Sequence, residues 1–388
     1  MDAVNKQYRI LYHHRIASKD GQYVHVEEII NSLRKAGHQV FIVAPKLTEQ
    51  SEFGSSGGIV AWLKQRLPQH LYEVLELLYA VIAFIKLVSA VYKYKPDFIY
   101  ERFNLFLPAG VWAGKCCKLP LLLEVNAPIY EERKKYHGIA LDRLARWSQH
   151  YCWKNAHRCF PVTNVLADYL RRAGVNETAI TVIPNGINET VFSRPQVTPA
   201  ELPPLQGKIV IGFVGFCREW HGLDRVLTLM AKLQNPALFF LIIGDGPAIA
   251  ALKQQAAELN ISEQIFVSGL VSRNDMPDWL APMHIALQPD VVPYASPLKM
   301  LEYMYMAKAI IAPDSANIRE LLQHRQNALL FDMAQPQSFT QCLNELCEQP
   351  ALIAQLGANA KLSIAQQQLT WDHNAWRIVQ QFEQCRPN

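Results

Sequence analysis

The chain has no cysteine pair of the kind that holds a metal or cycles a disulfide. Its eight cysteines are Cys116, Cys117, Cys152, Cys159, Cys217, Cys342, Cys347 and Cys385. None forms a C-x-x-C pair, and no Cys/His spacing fits a zinc site. They read as reduced, mostly buried thiols of a cytosolic protein. No secretory leader precedes the first strand-like segment, so a cytoplasmic location is expected, with peripheral contact on the inner face of a membrane left open. One apolar run invites reading as a membrane span and falls short by length. Leu77 to Tyr92 is 16 residues, contains Lys86 and follows Glu73 and Glu76, whereas a span needs about 20. A buried or amphipathic helix is expected there, and a monotopic membrane contact remains an alternative. No dense basic patch is interleaved with aromatics, which disfavours nucleic acid. There is no G-x-G-x-x-G fingerprint and no Asp-x-Asp cluster for a metal.

What is present suits a two-domain globular protein. The 388 residues exceed one typical core; half are hydrophobic and 19% are charged. The net charge of +4 is unevenly spread. Residues 1–194 carry 25 Lys/Arg and 17 Asp/Glu, a surplus of +8, whereas residues 195–388 carry 13 and 17, a balance of −4. The basic half could face anionic lipid or a phosphorylated acceptor, or simply keep the protein soluble.

Strand-like and helix-like segments alternate throughout. Tyr8–His14, Gln39–Ala44, Asp97–Glu101, Leu121–Val125, Cys159–Val162 and Ile180–Ile183 read as strands in the first half. A helix is expected from about Gln22 to Ala36, stopped by Ala36-Gly37-His38. Residues 193–207 hold four prolines without an apolar period and read as a linker. The alternation then restarts with strands Lys208–Val214, Leu238–Ile243, Ile265–Val267, His284–Leu287 and Ala309–Ala312, and helices at Gly222–Leu233 and after Ser296. The fold class is α/β, with two Rossmann-like domains at 1–194 and 208–368, a linker at 195–207 and a terminal segment at 369–388. Such domains bind ligands at the carboxyl ends of their strands. If those ends face each other, the site is a cleft.

Several segments carry candidate chemistry. In Tyr294-Ala295-Ser296-Pro297-Leu298-Lys299-Met300-Leu301-Glu302, Ser296 suits an N-cap and Pro297 the first helical position. Free N–H groups and Lys299 could hold a diphosphate, and Glu302 could accept hydrogen bonds from sugar hydroxyls. An ordinary capped helix with a charge pair is the bland alternative. Gly21 ends a loop before a helix, as a turn or a close approach to a ligand requires, and His25 lies in that helix's first turn. Arg218 offers a fork for phosphate oxygens, or is a surface arginine paired with Glu219. Gly244 sits in the turn Gly244-Asp245-Gly246-Pro247. Glu124 and Asn126 alternate with apolar neighbours, so both could face one side. Glu124 is either a carboxylate at the reacting sugar or a hydrogen-bonded structural acid. Arg102, beside the Asp97–Glu101 strand, joins His25 and Asn126 as an acceptor-side candidate.

In this order the segments resemble glycosyltransferase family 4, retaining enzymes of the two-Rossmann glycosyltransferase-B fold. The matching pieces are Ala36-Gly37-His38, IPNGIN at 183–188, FVGFCREWHG at 213–222, IIGDGP at 242–247, SPLKMLEYM at 296–304, AIIAP at 309–313 and LTWDHNAWRIV at 369–379. They span nearly the whole chain. The resemblance implies that the terminal helix crosses back to the first domain. It implies that Glu302 binds the donor ribose, that Lys299 and Arg218 bind the diphosphate, and that Gly21 lies near the transferred sugar. Gly244 and Ser296 join these as donor-side candidates, and Glu124, Asn126, Arg218 and Lys299 as catalytic ones. Three positions depart from the family pattern. Tyr294 stands where a glutamate contacts the sugar, His221 where a lysine is usual, and Asn126 where the fourth strand often ends in histidine.

The implied activity is transfer of a hexose-type sugar, with retention, from a UDP or GDP donor to a hydroxyl of a saccharide or lipid-linked acceptor, in surface polysaccharide or glycolipid synthesis. The nucleotide sugar is a co-substrate, and no metal or other cofactor is expected. The alternatives are an epimerase or phosphorylase on the same fold, or a degenerate binding subunit.

Overall fold

Eleven short strands in two parallel sheets organise the described residues of this computed structural model, which are 6–16, 21–45, 66–136 and 138–385. The chain divides into two compact units. The first holds residues 1–185, 294–296 and 371–388; the second holds 186–293 and 297–370.

In the first unit the strands are β1 (Arg9–His13), β2 (Gln39–Val43), β3 (Phe98–Arg102), β4 (Leu121–Val125) and β5 (Arg158–Pro161), in the order β2-β1-β3-β4-β5. The helices are α1 (Gly21–Lys35), α2 (Gln69–Tyr94), α3 (Ala109–Cys117), α4 (Ile129–Tyr136), α5 (Asp142–Asn155) and α6 (Asn164–Arg172), with the C-terminal helix Trp371–Gln384 packed beside α1. A parallel sheet is covered on both faces, so its strands are apolar along their length. Both β3 and β4 are buried at all five positions. Against that background, charged residues at strand ends stand out. Helix α1 ends as expected: Gly37 takes φ +90°, and the N–H groups of Gly37 and His38 bond back to Arg34 and Leu33.

The second unit carries β6 (Ile209–Val214), β7 (Leu238–Ile243), β8 (Ile265–Val267), β9 (Ile285–Leu287), β10 (Ala309–Pro313) and β11 (Leu329–Phe331), in the order β11-β10-β9-β6-β7-β8. Its helices are α7 (Glu189–Phe192), α8 (Asp224–Leu233), α9 (Ile249–Glu258), α10 (Met276–Leu280), α11 (Leu298–Tyr305), α12 (Pro336–Glu348) and α13 (Pro350–Gln366). Strand order reverses at β1/β3 in the first sheet and at β6/β9 in the second. Their carboxyl ends are where α/β sheets hold ligands.

Three expectations are corrected. Ile180–Ile183 is not a strand. Its amides reach the carbonyls of Cys159 and Pro161, but Pro161 has no N–H to continue the ladder. The proline-rich stretch is not a free linker. Arg194 grips Asp278 at 3.0 and 2.6 Å, and the Val197 N–H donates to the same carboxylate at 2.7 Å, so these residues belong to the second unit. Finally, α2 is neither buried nor amphipathic in the usual sense. Its carboxylates Glu73 and Glu76 point inward, while Leu71, Leu75, Leu78, Ile82 and Ile85 are exposed.

Candidate active site

In the first unit the candidates gather around Glu124. Register pairs Tyr12 with Tyr100 and Arg102 with Glu124, which brings the ends of β1, β3 and β4 together. Glu124 is only 2% exposed. Its Oε1 accepts from Arg102 Nη1 at 2.6 Å and from Asn126 Nδ2. Its Oε2 accepts from the Tyr100 hydroxyl at 3.0 Å and, weakly, from Tyr12 at 3.5 Å. His25 Nε2 lies 3.0 Å from Oε2 but off the line of a good hydrogen bond, so that contact is mainly electrostatic. The other face of the imidazole is fixed: Nδ1 lies 2.7 Å from Asn185 Oδ1, and Asn185 Nδ2 donates to the Ser296 carbonyl at 2.5 Å.

A carboxylate offers about four lone-pair sites, and five groups crowd this one. Burial pushes the Glu124 carboxyl up, but the nearby His25 and the Arg102 charge, with the hydrogen bond from Asn126, outweigh it and hold it down to about 2. Burial first, then Glu124, raises the Tyr12 and Tyr100 hydroxyls, which therefore stay protonated as donors. A carboxylate so engaged has no lone pair open to a reacting sugar. The geometry selects the hydrogen-bonded structural acid for Glu124, which orients Arg102, His25 and Asn126. Among the four, Asn126 keeps the most exposure. Sequence reading missed a second buried pair, His13 Nδ1 to Glu101 Oε2 at 2.5 Å. Helix α3 closes on it so tightly that a Cβ at Gly110 would fall 2.1 Å from the Glu101 carboxylate. Polar residues closing otherwise apolar strands were the available signal. Ser18–Asp20 lie outside the described residues; Gly21 opens α1.

Residues 294–296 belong to this unit and correct one expectation. The Tyr294 ring packs into the first unit's core, its carbonyl accepts from the Thr163 hydroxyl at 2.9 Å, and its hydroxyl meets Glu132. Burial, followed by the Glu132 charge, drives that hydroxyl well above the usual phenol range. Ser296 is not an N-cap. Helix α11 begins at Leu298 with Pro297 extended before it, and the Ser296 hydroxyl accepts instead from the Asn185 N–H at 3.1 Å.

In the second unit, Lys299 occupies the end of β6. Its Nζ lies 4.3 Å from the Phe213 ring centroid and 3.2 Å from where a Gly215 Cβ would stand. The residue is partly accessible, yet its ammonium group is desolvated, which pulls its pKa down to about 8 against weaker opposing effects of Cys217 and Glu302. Among the described residues, no carboxylate forms an ion pair with it. Two glycine turns shape this end. Gly215 and Gly244 have φ +133° and +139°, and a Cβ on Gly244 would meet the Gly215 carbonyl oxygen at 2.1 Å. Gly244 therefore lets two loops touch, and the Cys217 N–H then donates to the Asp245 carbonyl at 2.7 Å. Arg218 is exposed, stacks over the Phe216 ring at 5.1 Å, and forms no ion pair with Glu219 among the described residues. His221, at the position of a family lysine, is buried against Phe213 and Trp220, and its Nδ1 accepts from the Arg218 N–H. Burial and then Lys299 push it down to about 4, so it is neutral at pH 7 and cannot replace a cation. Glu302 is 4% exposed and paired with Arg273, which stacks over Phe192. Arg273 was not anticipated; it lies 29 residues away from Glu302 in the chain, and no local pattern links them. Among the described residues, no group of three or more His, Cys, Asp or Glu side chains could hold a metal ion.

The family model described as Glycosyltransferase Family 4 matches residues 19–191, and that described as Glycosyl transferases group 1 matches residues 197–363. The chain belongs to glycosyltransferase family 4. Among relatives of this family 4 protein, the 2-deoxystreptamine glucosyltransferase of Streptomyces kanamyceticus is 26% identical over 30% of this chain and 32% of its own. The alpha-monoglucosyldiacylglycerol synthase of Streptococcus pneumoniae is 24% identical over 64% of this chain and 58% of its own. The chain thus spans about a third and somewhat over half of those two relatives. Anabaena HepE in complex with UDP superimposes with a TM-score of 0.72 at 16% identity, over 97% of this chain and 100% of that one. A further crystal structure of HepE holds UDP-glucose. At that identity the likeness establishes the glycosyltransferase-B fold.

Proposed function

We propose that the protein transfers a hexose-type sugar from a nucleoside diphosphate donor to a hydroxyl of a saccharide or lipid-linked acceptor, with retained configuration. The observation that carries this reading is the desolvated, acid-free ammonium of Lys299 beside the Gly215 and Gly244 turns, in a family 4 chain. A departing diphosphate needs positive charge that is already in place. Lys299 supplies it from a dry setting, the first amides of α11 add partial positive charge, and exposed Arg218 can swing in from its stack on Phe216. Glu302, held by Arg273, is set to accept from ribose hydroxyls. The HepE complexes support a UDP-sugar donor, with GDP the alternative nucleotide, and the two relatives' names support a glucosyl group. With protein cations at the diphosphate, no metal is required. At the Glu124 end, His25, Arg102 and Asn126 would contact the acceptor, in surface polysaccharide or glycolipid synthesis at the inner face of a membrane.

The test is a thermal-shift screen with UDP-glucose, UDP-N-acetylglucosamine and GDP-mannose, followed by product analysis with and without EDTA. A bound donor raises apparent stability. The reading predicts stabilisation by one nucleotide class and EDTA-resistant transfer. Stabilisation by none of the donors, or epimerisation of donor alone without transfer, would sink it.

A further inference from the structure

At the amino ends of β4 and β5, two segments distant in the chain build a basic cavity. The end of α3 and the turn after it supply Lys115 and Lys118; the end of α5 and the turn after it supply Lys154 and His157. The cavity is open, measures about 540 Å³, and has no carboxylate among its described lining residues. All four side chains are exposed. His157 Nδ1 accepts from the Leu121 N–H at 3.0 Å, so Nε2 carries the proton and is a donor. The Glu124 cluster lies toward the other end of β4, a strand of five residues that spans about 13 Å.

Helix ends do not account for this much charge. A lysine near a helix C-terminus offsets the dipole, which amounts to about half a negative charge per helix. Two helices end here, so about one of the three ammonium charges is answered and about two remain. Lys118 makes the same point. It closes α3 in the left-handed conformation, φ +56°, with its N–H bonded to the Gly114 carbonyl. Glycine fills such a place at less cost, so the turn itself does not call for an ammonium. Like charges gathered without an acid repel one another, and a bound anion relieves that repulsion.

An aromatic track leads to the cavity. On α5, Trp147, Tyr151 and Lys154 are spaced four and three apart and share a face. The Trp147 and Tyr151 rings stack with centroids 5.1 Å apart. Lys115 Nζ lies 5.3 Å from the Tyr151 ring centroid and donates to Asn155 Oδ1 at 2.5 Å, which joins the track to the cavity. Trp147 is 55% of the way to none of these partners' burial: it is 47% exposed. A large ring left in water beside polar donors suits a ligand with an apolar face and a polar rim. A pyranose has both, in C–H faces that pack on a ring and hydroxyls that accept from donors such as His157 Nε2. The three lysines add a demand for negative charge.

We propose that this face is a second saccharide site, which takes an oligosaccharide bearing acidic substituents (phosphate, sulfate or uronate), with a sugar ring on Trp147 and an acidic group among the lysines. A chain held there stays with the enzyme between transfers. That the chain is the acceptor rests on the transferase reading, whereas binding itself does not.

The experiment is calorimetric titration of the full chain with a hyaluronan hexasaccharide, which carries uronates, and with maltohexaose, which carries no charge. Thermal shift with UDP-glucose is run on the same samples. The hexasaccharide should bind, and maltohexaose should bind at least about tenfold more weakly. Salt should weaken the acidic ligand, and inorganic phosphate should compete with it. Trp147→Ala and Lys118→Ala/Lys154→Ala should each lower its affinity by about tenfold or more, while the melting temperature and the UDP-glucose shift are kept. If either variant fails to fold, Trp147→Gln and Lys118→Gln/Lys154→Gln serve in their place. No binding of the hexasaccharide, equal affinity for maltohexaose, or equal affinity in the variants overturns the proposal. So does a single-stranded oligonucleotide that binds as tightly through the same residues, which would make the face a general polyanion surface. If the wild type binds the hexasaccharide and shows no UDP-glucose shift, the transferase reading alone has failed.

Discussion

Replacing Lys299 with methionine should stabilise the protein and cripple it at once. The ammonium is desolvated in the folded chain, with its pKa near 8 against an ordinary 10.5. The unfolded chain holds that proton more tightly. Below pH 8 the folded state bears the full cost of the buried charge, and the cost is relieved as pH rises from 8 to 10.5. Two and a half pKa units correspond to about 3 kcal/mol, an upper bound on what Lys299→Met returns at pH 7. In a domain of this size that is a rise in melting temperature of at most about 10 °C. The same substitution removes the cation expected at the diphosphate. Losing a charge-assisted hydrogen bond costs about 1.5–3 kcal/mol, or roughly 10–150-fold in UDP affinity, and about 100–1000-fold in turnover if the charge develops in the transition state. Wild-type affinity for UDP should fall as pH rises through about 8, because the free lysine then loses its proton; the variant should show a flat profile. Calorimetric titration with UDP and thermal melts from pH 7 to 10 read every arm. Lys308 is the control: burial lowers it to about 8 as well, but its Nζ donates to the Ala281 carbonyl at 2.8 Å. Lys308→Met should leave UDP binding unchanged. A Lys299→Met protein that binds UDP like the wild type, or that melts lower, refutes the reasoning.

Other expectations follow from the same geometry. Arg273→Ala leaves Glu302 buried without its partner and should cost about 3 kcal/mol in urea unfolding, whereas Glu302→Ala should mainly raise the donor KM, by about tenfold or more. Equal donor KM in both variants and the wild type would remove Glu302 from the ribose. Gly244→Ala forces a Cβ to 2.1 Å from the Gly215 carbonyl oxygen at a φ of +139°; it should lose more than about 2 kcal/mol together with UDP binding, and a normal melt would contradict the loop contact. Glu124 is depressed to about 2 from an ordinary 4.5, so its stabilisation is complete above pH 4.5 and is lost as pH falls toward 2. Glu124→Gln should flatten that limb of an acid-unfolding curve, and an unchanged limb would assign acid sensitivity to another group.

Strand ends limited what could be read along the chain. The apolar runs of β3, β4, β7 and β10 were legible because a parallel sheet buried on both faces requires them. The Gly37 stop and the glycine turns were legible because few other residues adopt those backbone angles. Lys299 and Glu302 stood out as charges on an otherwise apolar helix. Their environment was not legible: nothing local reveals that Lys299 is dry, that His221 is neutral, or that Arg273 reaches Glu302.

The sequence by itself determined the family, the alternation of strands and helices, and which short segments bear chemistry, because these depend on local periodicity and backbone freedom. Only the tertiary structure decided what each of those residues does. It gave Glu124 four hydrogen-bond donors and a buried histidine and so made it a positioning group, drew Tyr294 into the first unit's core, and moved Ser296 from a helix cap to a partner of Asn185. It also turned the acids of α2 inward, which composition alone could not show. The physical reason is the same each time: charge, desolvation and hydrogen-bond saturation depend on neighbours brought together across tens to hundreds of residues, and a linear pattern carries no distances.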